Sequence, residues 1–308
     1  MSGKTGRGSA QEVLKQVRDG LRGLLSLRAH HDHVWLRGGA DGLRGADRAF
    51  RRSEDDGHDR ITAAGPRDDR AGGSATAARP PVTDLSHMRS LSDLHNAARR
   101  GDLDNAGLTR EVQGLGRRYG PFDVTRLRAR YHSGSDTLTI TADVRDTRGR
   151  YAGALDYRIG RDAEGKLVAE NFITHLMPGF TGKGFASAFS AAIEAYFRRS
   201  GVDRILVSAG LADGGVVWAK SGYGWNTAPD KLHKSVTNMR TRIDELLAGG
   251  KRSLSAGDAA LLQDMRGRFD GPVTGYPSPR ELVTLTGDNP GLGEELLRGT
   301  YWHGMKKL

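Results

Sequence analysis

From Leu91 onward the apolar residues fall into two different periods. Leu138, Ile140, Ala142 and Val144 alternate with Thr and Asp, the pattern of a half-buried strand. Tyr151–Ile159 reads as a second strand and Leu167–Met177 as a third, with an Arg-Asp-Ala-Glu-Gly turn at 161–165 between them. Phe185, Phe189, Ile193, Tyr196 and Phe197 then recur at helical spacing and predict a helix over Phe185–Arg199, followed by a strand over Val202–Ala209. Shorter helices are expected from a Ser92 cap to Arg100, over Thr109–Arg118 and over Ala212–Ser221. A longer one runs from Pro229, which suits a first helical turn, to Leu247. Beyond Gly249 and Gly250 the pattern is helical again, in Gly257–Phe269, after Ser278-Pro279 and in Gly291–Arg298. The aromatic tail Tyr301-Trp302 is expected to dock on the protein's own core.

The first 87 residues read differently. Val13, Leu14, Val17, Leu21, Leu24 and Leu25 support one helix within Gln11–Arg28. From Arg37 to Pro81 the chain is Gly, Ala, Arg and Asp with Phe50 and Ile61 as rare large apolar residues, so residues 37–85 are expected to be disordered. The same monotony admits a reading in which Met88 is the true start. Three regions follow: 1–87 of low complexity, 88–250 as the main domain, and 251–308 as a small helical extension.

Composition narrows the function classes. No cysteine is present, which excludes disulfides, thiolate metal sites and cysteine nucleophiles. No apolar run reaches the length of a membrane span, and the N-terminus lacks the apolar core of a secretory signal, so a cytoplasmic protein with no membrane partner is expected. The net charge is +10, with 24 basic and 18 acidic residues in 86–250, which favours polyanionic partners. Arg117 and Arg118, then Arg126, Arg128 and Arg130, interleave with Tyr119, Phe122 and Tyr131. Alternation places the last three guanidinium groups on one strand face, a footprint suited to a polyanion such as RNA. His30, His31 and His33 with Asp32 are a ligand-type cluster, but they adjoin the stretch expected to be disordered, so no metal site is assigned.

The most informative stretch is Pro178-Gly179-Phe180-Thr181-Gly182-Lys183-Gly184, between an expected strand and an expected helix. Glycines let successive N–H groups face one anion, the helix adds its positive end, and Lys183 adds a cation. It is not a P-loop, which needs Gly-Lys-Ser/Thr, nor a dinucleotide fingerprint, whose third glycine would fall at Ser187. A tight turn allowing close strand–helix packing is the plainer alternative.

Together with its flanks, this stretch resembles the GNAT superfamily of N-acetyltransferases. The family motif Gln/Arg-x-x-Gly-x-Gly/Ala, between a strand and a long helix, is matched at Gly182 and Gly184, with Gly179 in the first position and Thr181 where arginine is common. Val217-Trp218-Ala219-Lys220-Ser221-Gly222-Tyr223 resembles the family's late helix, with Trp218 in place of its tyrosine and Leu211 in place of its asparagine. The resemblance covers about 126–225. It implies an α+β fold, a mixed and mostly antiparallel sheet flanked by helices. It implies acetyl-CoA as co-substrate, its pantetheine arm on backbone near Thr174, His175 and Leu176. Its pyrophosphate would sit on Gly179, Phe180, Thr181, Gly182, Lys183 and Gly184. Glu170, on the strand before the loop, is then the candidate base, with His175 second, and Tyr223 is the remaining candidate to protonate the thiolate. The acceptor, a small-molecule, peptide or tRNA-linked amine, is not readable. Three classes stay open: an acyl-CoA-dependent N-acyltransferase, a catalytically silent module of the same shape, and a basic nucleic-acid-binding protein on another α/β core.

Overall fold

The computed structural model describes residues 84–177, 179–210, 213–249 and 254–308. The expected helix at 11–28, the segment 37–83 and the histidine cluster lie outside them. The described chain builds one eight-stranded sheet in the order β1-β2-β3-β4-β5-β6-β8-β7, antiparallel everywhere except between β5 and β6.

Two helices precede the sheet. In α1 (Leu91–Arg100) the cap is Ser90, two residues before the expected Ser92: its hydroxyl accepts the Asp93 N–H. In α2 (Asn105–Glu111) Asp104 caps in the same way, and a 3₁₀ turn follows over Val112–Leu115. The strands β1 (Arg118–Tyr119), β2 (Phe122–His132), β3 (Thr137–Asp146), β4 (Tyr151–Arg161) and β5 (Leu167–Leu176) form a meander. The helix α3 (Phe185–Arg199) crosses over to β6 (Val202–Ala209), giving the parallel pair. Then come α4 (Gly214–Lys220), β7 (Gly224–Trp225), α5 (Pro229–Leu247), α6 (Ala256–Arg268), α7 (Pro279–Val283), α8 (Leu292–Leu297) and β8 (Trp302–Lys307).

One face of the sheet carries the core. Val124, Leu155, Tyr157, Ile159, Leu167, Ala169, Ile205 and Val207 point to it and are buried. Phe189 and Phe197 of α3 meet Tyr157 there, and Phe185 stacks on Phe189 at 5.4 Å. Packing starts earlier than Met88. Leu85 is 5% exposed, and Arg199 donates to the carbonyls of both Leu85 and Met88 at 2.9 Å. A chain beginning at Met88 would lose that contact.

The helix expected over Thr109–Arg118 instead starts at Asn105 and ends at Glu111, and Arg118 already belongs to β1. Two further expectations change. The C-terminal segment is not only helical: its last residues form β8, which lies inside the sheet between β6 and β7. Trp-His-Gly-Met-Lys-Lys has no run of β-branched residues to announce a strand, so packing decides it. Trp302 is fully buried, and Gly304 is required because a Cβ there would meet Val207 Cγ2 at 2.7 Å and Trp302 Cζ3 at 2.8 Å. Lys306 Nζ locks the strand down by donating to Glu194 at 2.8 Å and to the Ser221 carbonyl at 3.0 Å. The second change is in β2. The register slips between Thr125 and Arg128, and Arg126 takes a left-handed φ of 52°. Arg126 therefore leaves the even arginine alternation and approaches Asp143 at 3.5 Å, while Arg128 and Arg130 keep it.

Among the described residues no helix is long and apolar enough to cross a membrane, and no group of three metal-ligating side chains comes together.

Candidate functional site

The site follows from where β5 loses a neighbour. Its parallel register with β6 runs from Leu167↔Val202 to Asn171↔Val207 and stops. Beyond that point β6 pairs only with β8, through Ser208↔His303 and Ala209↔Trp302. β5 continues against β4 as far as Leu176↔Gly153. The two parallel strands part, and the β6-facing backbone edge of Phe172–Leu176 has no strand partner. An unpaired strand edge is a template for anything carrying amide groups. A bulge marks the parting: Asp156 pairs with Ile173 and Tyr157 with Asn171, which leaves Phe172 as the extra residue. Gly153 holds the far end, because a Cβ there would run into the His175 carbonyl.

β5 then leads into the glycine loop. Gly179, Gly182 and Gly184 have φ of 86°, 73° and 85°, the left-handed region. A Cβ on any of them would meet nothing within 4 Å, so close packing is not why glycine is used. The glycines serve the backbone's direction. Gly184 is the N-cap of α3 and offers no side-chain acceptor, so the first N–H groups of the helix stay open to a ligand. Thr181, Gly182, Lys183 and Gly184 are exposed. Phe180 anchors the loop edge-on against Phe122, with Arg150 and Lys183 over its ring at 5.4 and 5.5 Å.

The parting divides the candidate side chains between two faces. On the core face, Asn171 donates to the Tyr157 hydroxyl and accepts from Thr174, both at 3.0 Å. Tyr223 is buried on this side, 5.1 Å from the half-buried Trp218 ring. Burial above all, then Tyr157 and Glu194, pushes its phenol above the usual tyrosine range. That hydroxyl holds its proton firmly.

On the opposite face stand Glu170, Ile173 and His175. His175 reaches solvent, but the protein around it still disfavours the imidazolium and lowers its pKa, so the ring is neutral at pH 7. No motif points to Asp156, on β4 opposite Ile173. Burial first, and then Glu170, pushes its carboxyl up to about 6, against the pull of Arg158. Its Oδ1 is buried without a hydrogen-bond partner among the described residues. Strand pairing, not sequence distance, brings Asp156 next to Glu170, which is why motif reading misses it. Glu170 and His175 thus share one face and Tyr223 lies behind the sheet. The nine backbone candidates fall on the end of β5, at Thr174, His175 and Leu176, and on the loop 179–184 before α3.

Two of the basic residues are engaged within the protein. Arg117 donates to the Asp84 carbonyl at 3.1 Å, and Arg118 forks onto Asp123 at 3.0 and 3.2 Å.

No family model matches the chain, and no curated protein matches it. Among solved structures, it is similar to a GCN5-related glucosamine N-acetyltransferase region of a fungal multi-domain GH3 β-N-acetylglucosaminidase, at a TM-score of 0.26 and 16% identity. The alignment covers 43% of this chain and 19% of that one, so the chain spans about a fifth of the fungal enzyme.

Proposed function

We propose that the parted strands and the glycine loop form the site of an acyl-CoA-dependent N-acyltransferase, acting from acetyl-CoA on an amine. The observation that carries this is the unpaired β5 edge, Phe172–Leu176, followed in the chain by the glycine loop and the open N-terminus of α3. A long donor with amide groups along its arm and a pyrophosphate at its end suits such a run: amides on the strand edge, phosphates on the loop.

The chemistry requires one proton to leave the acceptor and one to reach the leaving group. An ammonium gives up its proton to become a nucleophile. Its nitrogen attacks the thioester carbonyl, an amide C–N bond forms, and the C–S bond breaks. The thiolate takes a proton and leaves as free coenzyme A. Asp156 takes the amine proton in this reading: it lies on β4 opposite Ile173 of the open half of β5, its Oδ1 has no competing donor among the described residues, and its raised pKa brings it near the operating range. Glu170 keeps that pKa up, and the neutral His175 is the alternative acceptor. Solvent protonates the thiolate, since Tyr223 is buried and Trp218 has no acidic proton to give.

Calorimetric titration with acetyl-CoA, followed by a coenzyme A release assay over an amine panel, tests this. Binding with turnover supports it, and no binding rejects it. Binding without turnover favours the silent module, a reading to which the buried Tyr223 lends weight.

A further inference from the structure

The face opposite the core is charged in a graded way. Two rows of paired residues cross it from β2 to β5: Arg130–Thr139–Arg158–Glu170 and Arg128–Thr141–Asp156–Ile173. Neighbouring strands lie about 4.8 Å apart, so Arg128 and Arg130 stand roughly 14 Å from β5. Arg128 and Arg130 therefore stand on the far side, while the carboxylates Asp156 and Glu170 lie on β4 and β5, with Arg158 between them as the one cation there among the rows. Arg126, Arg145 and Arg150 are engaged by Asp143 and Asp146. Arg128, Arg130 and Arg158 have no ion pair among the described residues. The charges of Arg130 and Arg158 bear on His132, whose imidazolium is disfavoured by burial first and then by these two. Arg128 and Arg130 are exposed.

The same face carries a stacking platform. The bulge turns Phe172 outward to 40% exposure, and the Arg158 guanidinium lies over its ring at 3.6 Å. A large aromatic left in solvent under a flat cation is a surface on which a planar base stacks. An acidic peptide would satisfy the arginines and leave the platform without use.

We propose that this face binds a single-stranded nucleic acid. Its phosphates lie on Arg128 and Arg130, and a base stacks at Phe172–Arg158. The grading sets its polarity. The carboxylates repel phosphate and attract an ammonium, so the end that reaches them carries an amine. The acceptor class is then an amine borne on a single-stranded nucleic acid, and this clause rests on the acyltransferase reading.

The test is fluorescence anisotropy of the full chain with a labelled single-stranded RNA of about 12 nucleotides, between roughly 50 and 200 mM salt. Binding is expected and weakens with salt. The double variant Arg128→Ala/Arg130→Ala is expected to lower the slope of log K against log salt by about 1.4. Phe172→Ala is expected to weaken binding roughly 5- to 150-fold with the slope unchanged. Absence of binding overturns the inference. So does equal binding by the double variant, which would put the RNA elsewhere on the chain. Displacement by polyglutamate as readily as by unlabelled RNA assigns the face to acidic protein and also overturns it. Acetyl-CoA affinity, measured on the same samples, separates the two readings: if it persists when RNA binding fails, only this inference falls. If RNA binds and the coenzyme does not, the acyltransferase reading falls and the binding face stands.

Discussion

Between Leu167 and Asn171, β5 is hydrogen-bonded to a strand on both sides, and Leu167, Ala169 and Asn171 are buried. Between Phe172 and Leu176 the same strand keeps β4, loses β6, and leaves every side chain at least partly exposed. Its own residues do not explain the contrast, since Ile173 and Leu176 are as apolar as Leu167. The register does: the bulge at Phe172 breaks it just past the last β5–β6 pair, and beyond that point β6 keeps only β8, on its far edge. The doubly paired half is a piece of fold, and the half with one neighbour is what the chain can offer a ligand. Substitutions should therefore separate the two halves, affecting either stability or chemistry.

Asp156→Asn should give the largest separation. Turnover should fall by roughly 10²–10⁴, the usual worth of a general base, with acetyl-CoA affinity unchanged. Stability should move the other way. The folded protein keeps the Asp156 proton up to about pH 6, while the unfolded chain releases it near 3.8. Stability therefore falls as pH rises through that window, and the cost is fully present at pH 7. Removing the charge should restore on the order of 1–3 kcal/mol at pH 7, read by chemical denaturation. For the unmodified protein the rate should rise with pH through about 6.

Ile205→Ala tests the paired half. Ile205 is 1% exposed, so the loss should be about 2–5 kcal/mol of stability in urea melts, with coenzyme affinity per folded molecule unchanged. Gly184→Asp sits past the parted half. It puts a carboxylate where the pyrophosphate is proposed to lie and a side chain at φ 85°, and should weaken acetyl-CoA binding about 100-fold or more in calorimetry. A normal affinity in a folded variant would reduce the loop to a turn. Glu170→Gln is the mildest probe. Removing a charge that raises Asp156 should move the acid limb of the rate profile below its unmodified position. An unmoved limb together with a collapsed rate would make Glu170 itself the base.

Most of the fold was legible wherever local pattern and tertiary contact agree. The helix Phe185–Arg199, the strand Val202–Ala209 and the helix Pro229–Leu247 have the ends that spacing, proline and glycine predict. The helix expected after Ser278-Pro279 starts there, in a full capping box of Ser278 with Glu281, and Ser255 caps α6. β8 was hidden because Gly304 and Met305 belong to a strand only when Val207 and Trp302 are beside them. The site divides likewise. Its loop is consecutive in sequence and was visible. Asp156 was not, because its closeness to Glu170 comes from β4–β5 register, which no spacing in the sequence records.

In the proposed function the unpaired edge of β5 and the glycine loop receive an acyl-CoA donor. Amide hydrogen exchange with and without acetyl-CoA measures it at the backbone itself. Slowed exchange is expected within Phe172–Leu176 and Gly182–Ser187, with Leu167–Asn171 unchanged because it is already paired. Protection confined to other parts of the chain, or none at saturating acetyl-CoA, would contradict it.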